Sequence, residues 1–137
     1  MEGRFISTSR DDPYEDFALE EAIFCRLKRV TARVWRNSLS VIIGRAQLAR
    51  LETDLAYCTK KGIPVLRRFT AGGAVYNGPG NINWSLFIPA RCDGNGLAFE
   101  RDPRGVFRLA SSVVVRALRN CGVESRSLIS INPPFLW

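Results

Sequence analysis

Two adjacent arginines, Arg67 and Arg68, lead into the small residues Ala71-Gly72-Gly73-Ala74, then Val75-Tyr76-Asn77, a Gly78-Pro79-Gly80 turn, and Asn81, Asn83 and Trp84. Glycines let backbone N–H groups approach an oxyanion closely, and a guanidinium adds a fork of charge-assisted donors. A loop of this composition is suited to hold an anion, and the ligand it points to is a nucleotide phosphate or an adenylate. The chain has no histidine, which excludes a Ser-His-Asp or Cys-His site within it. Chemistry here must run on charge and positioning.

The elements that position this loop belong to a chain of 137 residues, 46% hydrophobic and 24% charged, which suits one domain with one core. A domain of this size needs no disulfide or metal to fold. Cys25, Cys58, Cys92 and Cys121 are scattered without a Cys-x-x-Cys pair, so reduced and mostly buried thiols are expected, and no zinc set. There is no membrane-length apolar run and no apolar signal stretch, so the expected location is cytoplasmic, away from membranes. The net charge is +7, with arginine supplying 17 of the 20 basic residues. These are dispersed rather than gathered into an arm, so nucleic acid is not the expected partner.

Alternating elements follow from the local patterns. Arg4 to Ser7 suits a strand. Asp12-Pro13 with Glu15 supplies an N-cap, an N1 proline and a capping-box acid for a helix reaching about Arg29. Thr31 to Arg36 and Ser40 to Ile43 are β-branched and aromatic, and suit the strands of a hairpin stopped by Gly44. Thr53 to Lys60 suits a helix closed by Lys60-Lys61-Gly62. Ile63 to Arg68 is then the strand that delivers the loop.

Beyond the loop, Ala74 to Tyr76 and Asn81 to Ile88 are expected to pair as a hairpin across Asn77-Gly78-Pro79-Gly80. A polar loop over 89 to 101 precedes Asp102-Pro103, a second cap. Val106, Ala110, Val113, Val114, Ala117 and Leu118 mark one face of a helix ending near Gly122, and Val123 onward returns to the sheet. The expected fold class is α+β or mixed α/β, with helices packed on a largely antiparallel sheet.

With these elements in place, the chain resembles the lipoate-protein ligase and octanoyltransferase superfamily, which is related to the biotin-protein ligases. The segment from Asp12 through Phe17-Ala18-Leu19-Glu20-Glu21 is similar to the family's first helix, which often reads N-L-A-L-E-E, with Asp16 and Phe17 in place of Asn and Leu. Val34-Trp35-Arg36-Asn37 followed by Ser40 to Gln47 matches a second family segment, and Gly62-Ile63-Pro64-Val65 leading into Arg67-Arg68 a third. The likeness runs in order over about residues 10 to 125. Ala71 stands where the family usually has the first of three glycines, Asn77 where it usually has histidine, and Gly78-Pro79 replaces the common Asp-Leu.

The resemblance implies ATP-dependent activation of lipoate or octanoate to an acyl-adenylate, with Mg²⁺, and transfer of the acyl group to a lysine of a lipoyl-acceptor protein. Acceptors of that kind are the glycine cleavage H protein and the lipoyl domains of 2-oxoacid dehydrogenase E2 subunits. By the same resemblance Arg68 contacts the nucleotide phosphate, and Gly72, Gly73, Ala74, Val75 and Tyr76 line the adenylate and acyl channel. Trp35 with Gly44, Arg45 and Gln47 forms an opposite, apolar wall. Arg67 and Asn77 are secondary, and Asn81 and Asn83 face phosphate or metal-bound water. Glu20 and Glu21 belong to a structural helix, and no side chain is expected as a direct metal ligand.

The resemblance identifies no catalytic residue in this sequence. The family's catalytic lysine lies downstream, in a segment resembling R-N-D followed by G-x-K-x-S-G, and Lys28, Lys60 and Lys61 stand in no such context. Asn132 is the nearest trace of that segment. The expectation is therefore the N-terminal part of a ligase-like catalytic domain, truncated at its C-terminus and completed by a possible partner chain. The alternatives are an octanoyltransferase drawing on an acyl carrier protein thioester, or a noncatalytic remnant.

Overall fold

The computed structural model describes residues 2–89 and 103–127. The chain divides into two compact units between Ile88 and Pro89.

The first unit holds two three-stranded sheets, each built on the same plan. In one, β1 (Arg4–Ser9) runs through helix α1 (Pro13–Cys25) into β2 (Thr31–Arg36), and the two strands pair in parallel from Arg4↔Thr31 to Ser9↔Arg36. In the other, β3 (Ser40–Ile43) runs through α2 (Ala49–Glu52) and α3 (Leu55–Lys60) into β4 (Val65–Arg67), again in parallel. A parallel pair needs such a helical crossover, because a tight turn cannot return the chain to the same end. Each sheet is completed by one antiparallel strand: β5 (Val75–Asn77) joins β3, and β6 (Asn83–Phe87) joins β2. The orders are β1-β2-β6 and β4-β3-β5, a mixed α/β architecture.

Both expected hairpins are overturned. β2 and β3 do not pair with each other, and neither do β5 and β6. The reason lies in β3, where Ser40, Ile42 and Ile43 are all buried, Ile42 and Ile43 at 2% exposure each. A strand buried on successive positions must be covered on both faces and lie centrally in its sheet, so β4 and β5 take its two edges. The 78–81 turn still forms, with the Asn81 N–H donating to the Gly78 carbonyl (2.9 Å) and the Gly78 N–H to Asn81 Oδ1 (3.2 Å). It passes the chain from one sheet to the other.

Helix α1 starts where expected, with the Asp12 carboxylate accepting the Tyr14 N–H at 2.7 Å and Pro13 in the first turn. Glu15 does not close a capping box: its carboxylate is paired with Arg10 at 2.7 Å. The helix ends at Cys25 rather than near Arg29. In α3 the cap is Asp54, which accepts the Tyr57 N–H, and Gly62 follows with φ of 64°. The one-turn helix α2 was not foreseen.

The second unit contributes α4 (Pro103–Asn120), which closes at Gly122 (φ 79°) with the Val123 N–H reaching back to the Leu118 carbonyl at 3.0 Å. This 6→1 bond is the Schellman closure that a left-handed glycine permits. Residues 123–127 form no strand. The expected cap at Asp102, residues 90–101 of the expected polar loop, Cys92, Asn132 and any return to the sheet beyond Arg126-Ser127 lie outside the described residues. Of the thiols, Cys58 is buried, but Cys25 and Cys121 are exposed, because each stands at the end of its helix. No helix among the described residues is long and apolar enough to cross a membrane.

Candidate functional site

The glycine-rich segment leaves β4 at Arg67 and enters β5 at Val75, so one sheet grips it at both ends. Arg67 is the last residue of β4 and Arg68 the first beyond it. Arg67 and Arg68 go to different places. The Arg67 Nη1 donates to the carbonyls of Gly44 (3.0 Å), Arg45 (2.9 Å) and Gln47 (2.7 Å) in the turn after β3. Arg68 folds into its own loop, donating from Nη2 to the carbonyls of Ala71 (2.9 Å) and Gly73 (2.8 Å) and from Nε to Ala71 (3.2 Å). Partial burial pulls the Arg68 pKa below the ordinary arginine value, because desolvation disfavours its charge.

The 44–47 turn and the loop are interlocked. The Arg45 N–H donates to the Thr70 carbonyl (2.9 Å), and the Arg68 N–H to the Ile43 carbonyl (3.0 Å). Gly44 lies against Gly72, where an added methyl would strike the Gly72 carbonyl oxygen. Gly72 has φ of 104°, and a methyl on it would stand 2.7 Å from Arg68 Nη2. Both positions therefore require glycine. Phe69 anchors the start of the loop by packing on Phe24 of α1, ring centres 5.0 Å apart. Gly72, Gly73, Ala74, Val75 and Tyr76 are all exposed, so the outer side of the loop is accessible.

The remaining predicted residues divide between the sheets. Gly44, Arg45 and Gln47 adjoin the loop, as just described. Trp35 belongs to the other sheet and is 5% exposed, held edge-on by Phe17 (ring centres 5.3 Å, 90°), with its indole N–H directed at Ser85 Oγ (3.4 Å). It borders a cleft of about 390 Å³ with Ser7, Thr8, Ser9, Val34, Arg36 and Ile82, and residues 44–47 are not among the lining. Asn77 is buried opposite Ser40 in the β3–β5 ladder, with its Oδ1 unpaired; Asn83 lies opposite Trp35, with its Nδ2 unpaired. Asn81 uses its side chain to close the 78–81 turn.

One cluster escaped the sequence reading. Arg33, fully buried at the middle of β2, pairs with the Asp16 carboxylate and with Glu20 (3.0 Å), and also donates to the Asp16 carbonyl (3.1 Å) and Thr8 Oγ1 (2.8 Å). Glu20 in turn accepts from the Ser85 hydroxyl (3.0 Å), and the Arg33 guanidinium lies 4.9 Å from the Trp35 ring centre. The signal available was Asp16 and Glu20 one helical turn apart, two carboxylates on one side of α1 that need a cation facing them.

Burial raises the Asp16 carboxyl above the ordinary aspartate value, against the lowering pull of Arg33. A carboxyl raised in the folded state contributes stability that is complete below the unfolded-state value and lost as pH rises through the folded one. Asp16→Asn is therefore expected to remove a fall in stability over the window between those two values. Urea denaturation of both proteins across the window checks this, and parallel pH profiles would contradict it.

Arg68 fastens the loop from within, Arg67 holds the turn beside it, and the glycine face stands open on a mixed sheet. The chain belongs to the lipoyl protein ligase A/B catalytic domain family, whose profile matches residues 12–128. It is 34% identical over 130 residues to lipoate-protein ligase A subunit 1 of Thermoplasma acidophilum, a match covering 92% of this chain and 47% of that relative. The crystal structure of a lipoate-protein ligase A bound with ATP superposes with a TM-score of 0.79 at 33% identity, over 96% of this chain and 52% of that one. A bi-partite lipoate protein ligase, described with its E2 lipoyl domain from T. acidophilum, superposes with a TM-score of 0.77 at 33% identity, over 93% and 48%. The chain thus spans about half the length of these relatives.

Proposed function

We propose that this chain supplies the nucleotide- and acyl-binding part of a lipoate-protein ligase. In this reading a carboxylate oxygen of lipoate or octanoate attacks the α-phosphorus of ATP, releasing pyrophosphate and leaving an acyl-adenylate. The amine of an acceptor lysine then attacks the acyl carbonyl and releases AMP. The observation that carries the reading is the 68–76 loop, with its glycine face open and its arginine fastened beneath, in a chain of this family. The first step brings one anion against another, so backbone N–H donors and a half-buried guanidinium lower its barrier more than a proton shuttle would.

Arg68 would meet the α-phosphate, and Gly72, Gly73 and Ala74 would present backbone donors. Val75 and Tyr76 would flank the acyl chain. Mg²⁺ would shield phosphate charge. Among the described residues no group of three or more His, Cys, Asp or Glu could hold a metal ion, so Mg²⁺ would ride on the ATP phosphates and water. The acceptor would be a lipoyl domain, in keeping with the E2 lipoyl domain described with the bi-partite relative. The rest of the family's catalytic domain, including its lysine segment, would come from a second polypeptide or from further sequence.

Acid-dependent exchange of pyrophosphate into ATP tests the proposal. The chain is assayed with lipoate or octanoate and Mg²⁺, alone and mixed with the second half of the T. acidophilum subunit. Exchange in the mixture supports the reading. Exchange in neither sample, with both polypeptides folded, overturns it.

A further inference from the structure

Arg67 ties the end of β4 to the turn that follows β3. Its Nη1 faces three main-chain carbonyls, those of Gly44, Arg45 and Gln47. One nitrogen carries two protons, so the three oxygens share them and the turn is drawn in around a single point. The same turn is closed by the Gly44 N–H on Gln47 Oε1 (2.7 Å) and the Gln47 N–H on the Gly44 carbonyl (3.1 Å). Its outer side then forms the surface on which the glycine loop rests, through the Gly44–Gly72 contact and the Arg45 N–H to Thr70 carbonyl bond.

From this geometry we infer that Arg67 is a positioning residue: by holding the carbonyls of Gly44, Arg45 and Gln47 it fixes the turn that sets the shape of the glycine-rich loop, and it touches no ligand itself. The two arginines then divide the work. Arg68 fastens the loop from within and, on the ligase reading, would meet the phosphate, whereas Arg67 fixes the support beneath it. The consequence for nucleotide affinity rests on the ligase reading; the consequence for loop order does not.

The test is hydrogen exchange of the ligand-free chain, compared among wild type, Arg67→Met, Arg67→Lys and Gly44→Ala, beside ATP affinity with Mg²⁺ for each. Arg67→Met is expected to speed exchange in segments 44–47 and 68–74 by about 10-fold or more, while β2 and α1 keep their protection. Arg67→Lys, whose ammonium has donors enough for the three carbonyls but sits on a shorter stem, should fall between. Gly44→Ala should reproduce the loop effect with Arg67 intact, and ATP affinity should weaken in the same order as loop exchange rises. Unchanged exchange in 68–74 with weakened ATP binding would make Arg67 a direct phosphate contact and overturn the inference. Uniform acceleration in every segment would reduce it to general stability and overturn it equally. Should wild type alone bind no ATP, the ligase reading is decided by the pyrophosphate exchange of the mixture, and the hydrogen-exchange comparison still decides what Arg67 does.

Discussion

Arg33→Met is expected to cost about 3–5 kcal/mol of folding free energy, the largest effect of any single substitution considered for this chain. The guanidinium is fully buried and faces Asp16, Glu20 and Thr8. Removing it leaves two carboxylates facing each other in a site that excludes water, and strands the Thr8 hydroxyl. Replacing the whole triad, Arg33→Met with Asp16→Leu and Glu20→Leu, should recover most of the loss, because no uncompensated charge then remains. Equilibrium urea unfolding measures both. A cost below about 1 kcal/mol for the single variant would mean that water reaches the cluster in solution.

That cluster also shows where the sequence stops being informative. In Thr31-Ala32-Arg33-Val34-Trp35-Arg36 each face of the strand carries apolar and polar residues, so alternation alone cannot say which face is covered. The structure puts Thr31, Arg33 and Trp35 inside, a choice set by the carboxylates of α1 rather than by hydrophobicity. The caps were legible for a local reason: Asp12-Pro13 and Lys61-Gly62 fix backbone angles and hydrogen bonds within four residues of themselves. Strand pairing was not, because partners such as Val34 and Trp84 are 50 residues apart in the chain, and both expected hairpins rested on nearness in sequence. The loop lies where its residue types placed it. What the types concealed was the division between Arg67, which ends β4, and Arg68, which begins the loop.

The same division governs the result expected at Arg68. On the ligase reading, Arg68→Ala should weaken ATP binding by about 10-fold to 100-fold, since each hydrogen bond to a charged group contributes roughly 1.5–3 kcal/mol. Two losses combine in that figure: the charge opposite the phosphate, and the fastening of the Ala71 and Gly73 carbonyls. Arg68→Lys separates them. A lysine keeps the positive charge but has no planar fork to hold both carbonyls, so its affinity should lie between those of Ala and wild type. Titration calorimetry with ATP and Mg²⁺ gives the three affinities, and thermal melts of the same samples show whether the fold is intact. Equal affinities for wild type and Arg68→Ala would remove Arg68 from the nucleotide site, and with it the observation on which the ligase reading rests. Lysine binding as weakly as alanine would instead show that loop shape, rather than charge, is what the arginine contributes. In that case the phosphate is held by backbone N–H groups, and the shape of the glycine loop, set jointly by Arg67 and Arg68, becomes the main determinant of affinity.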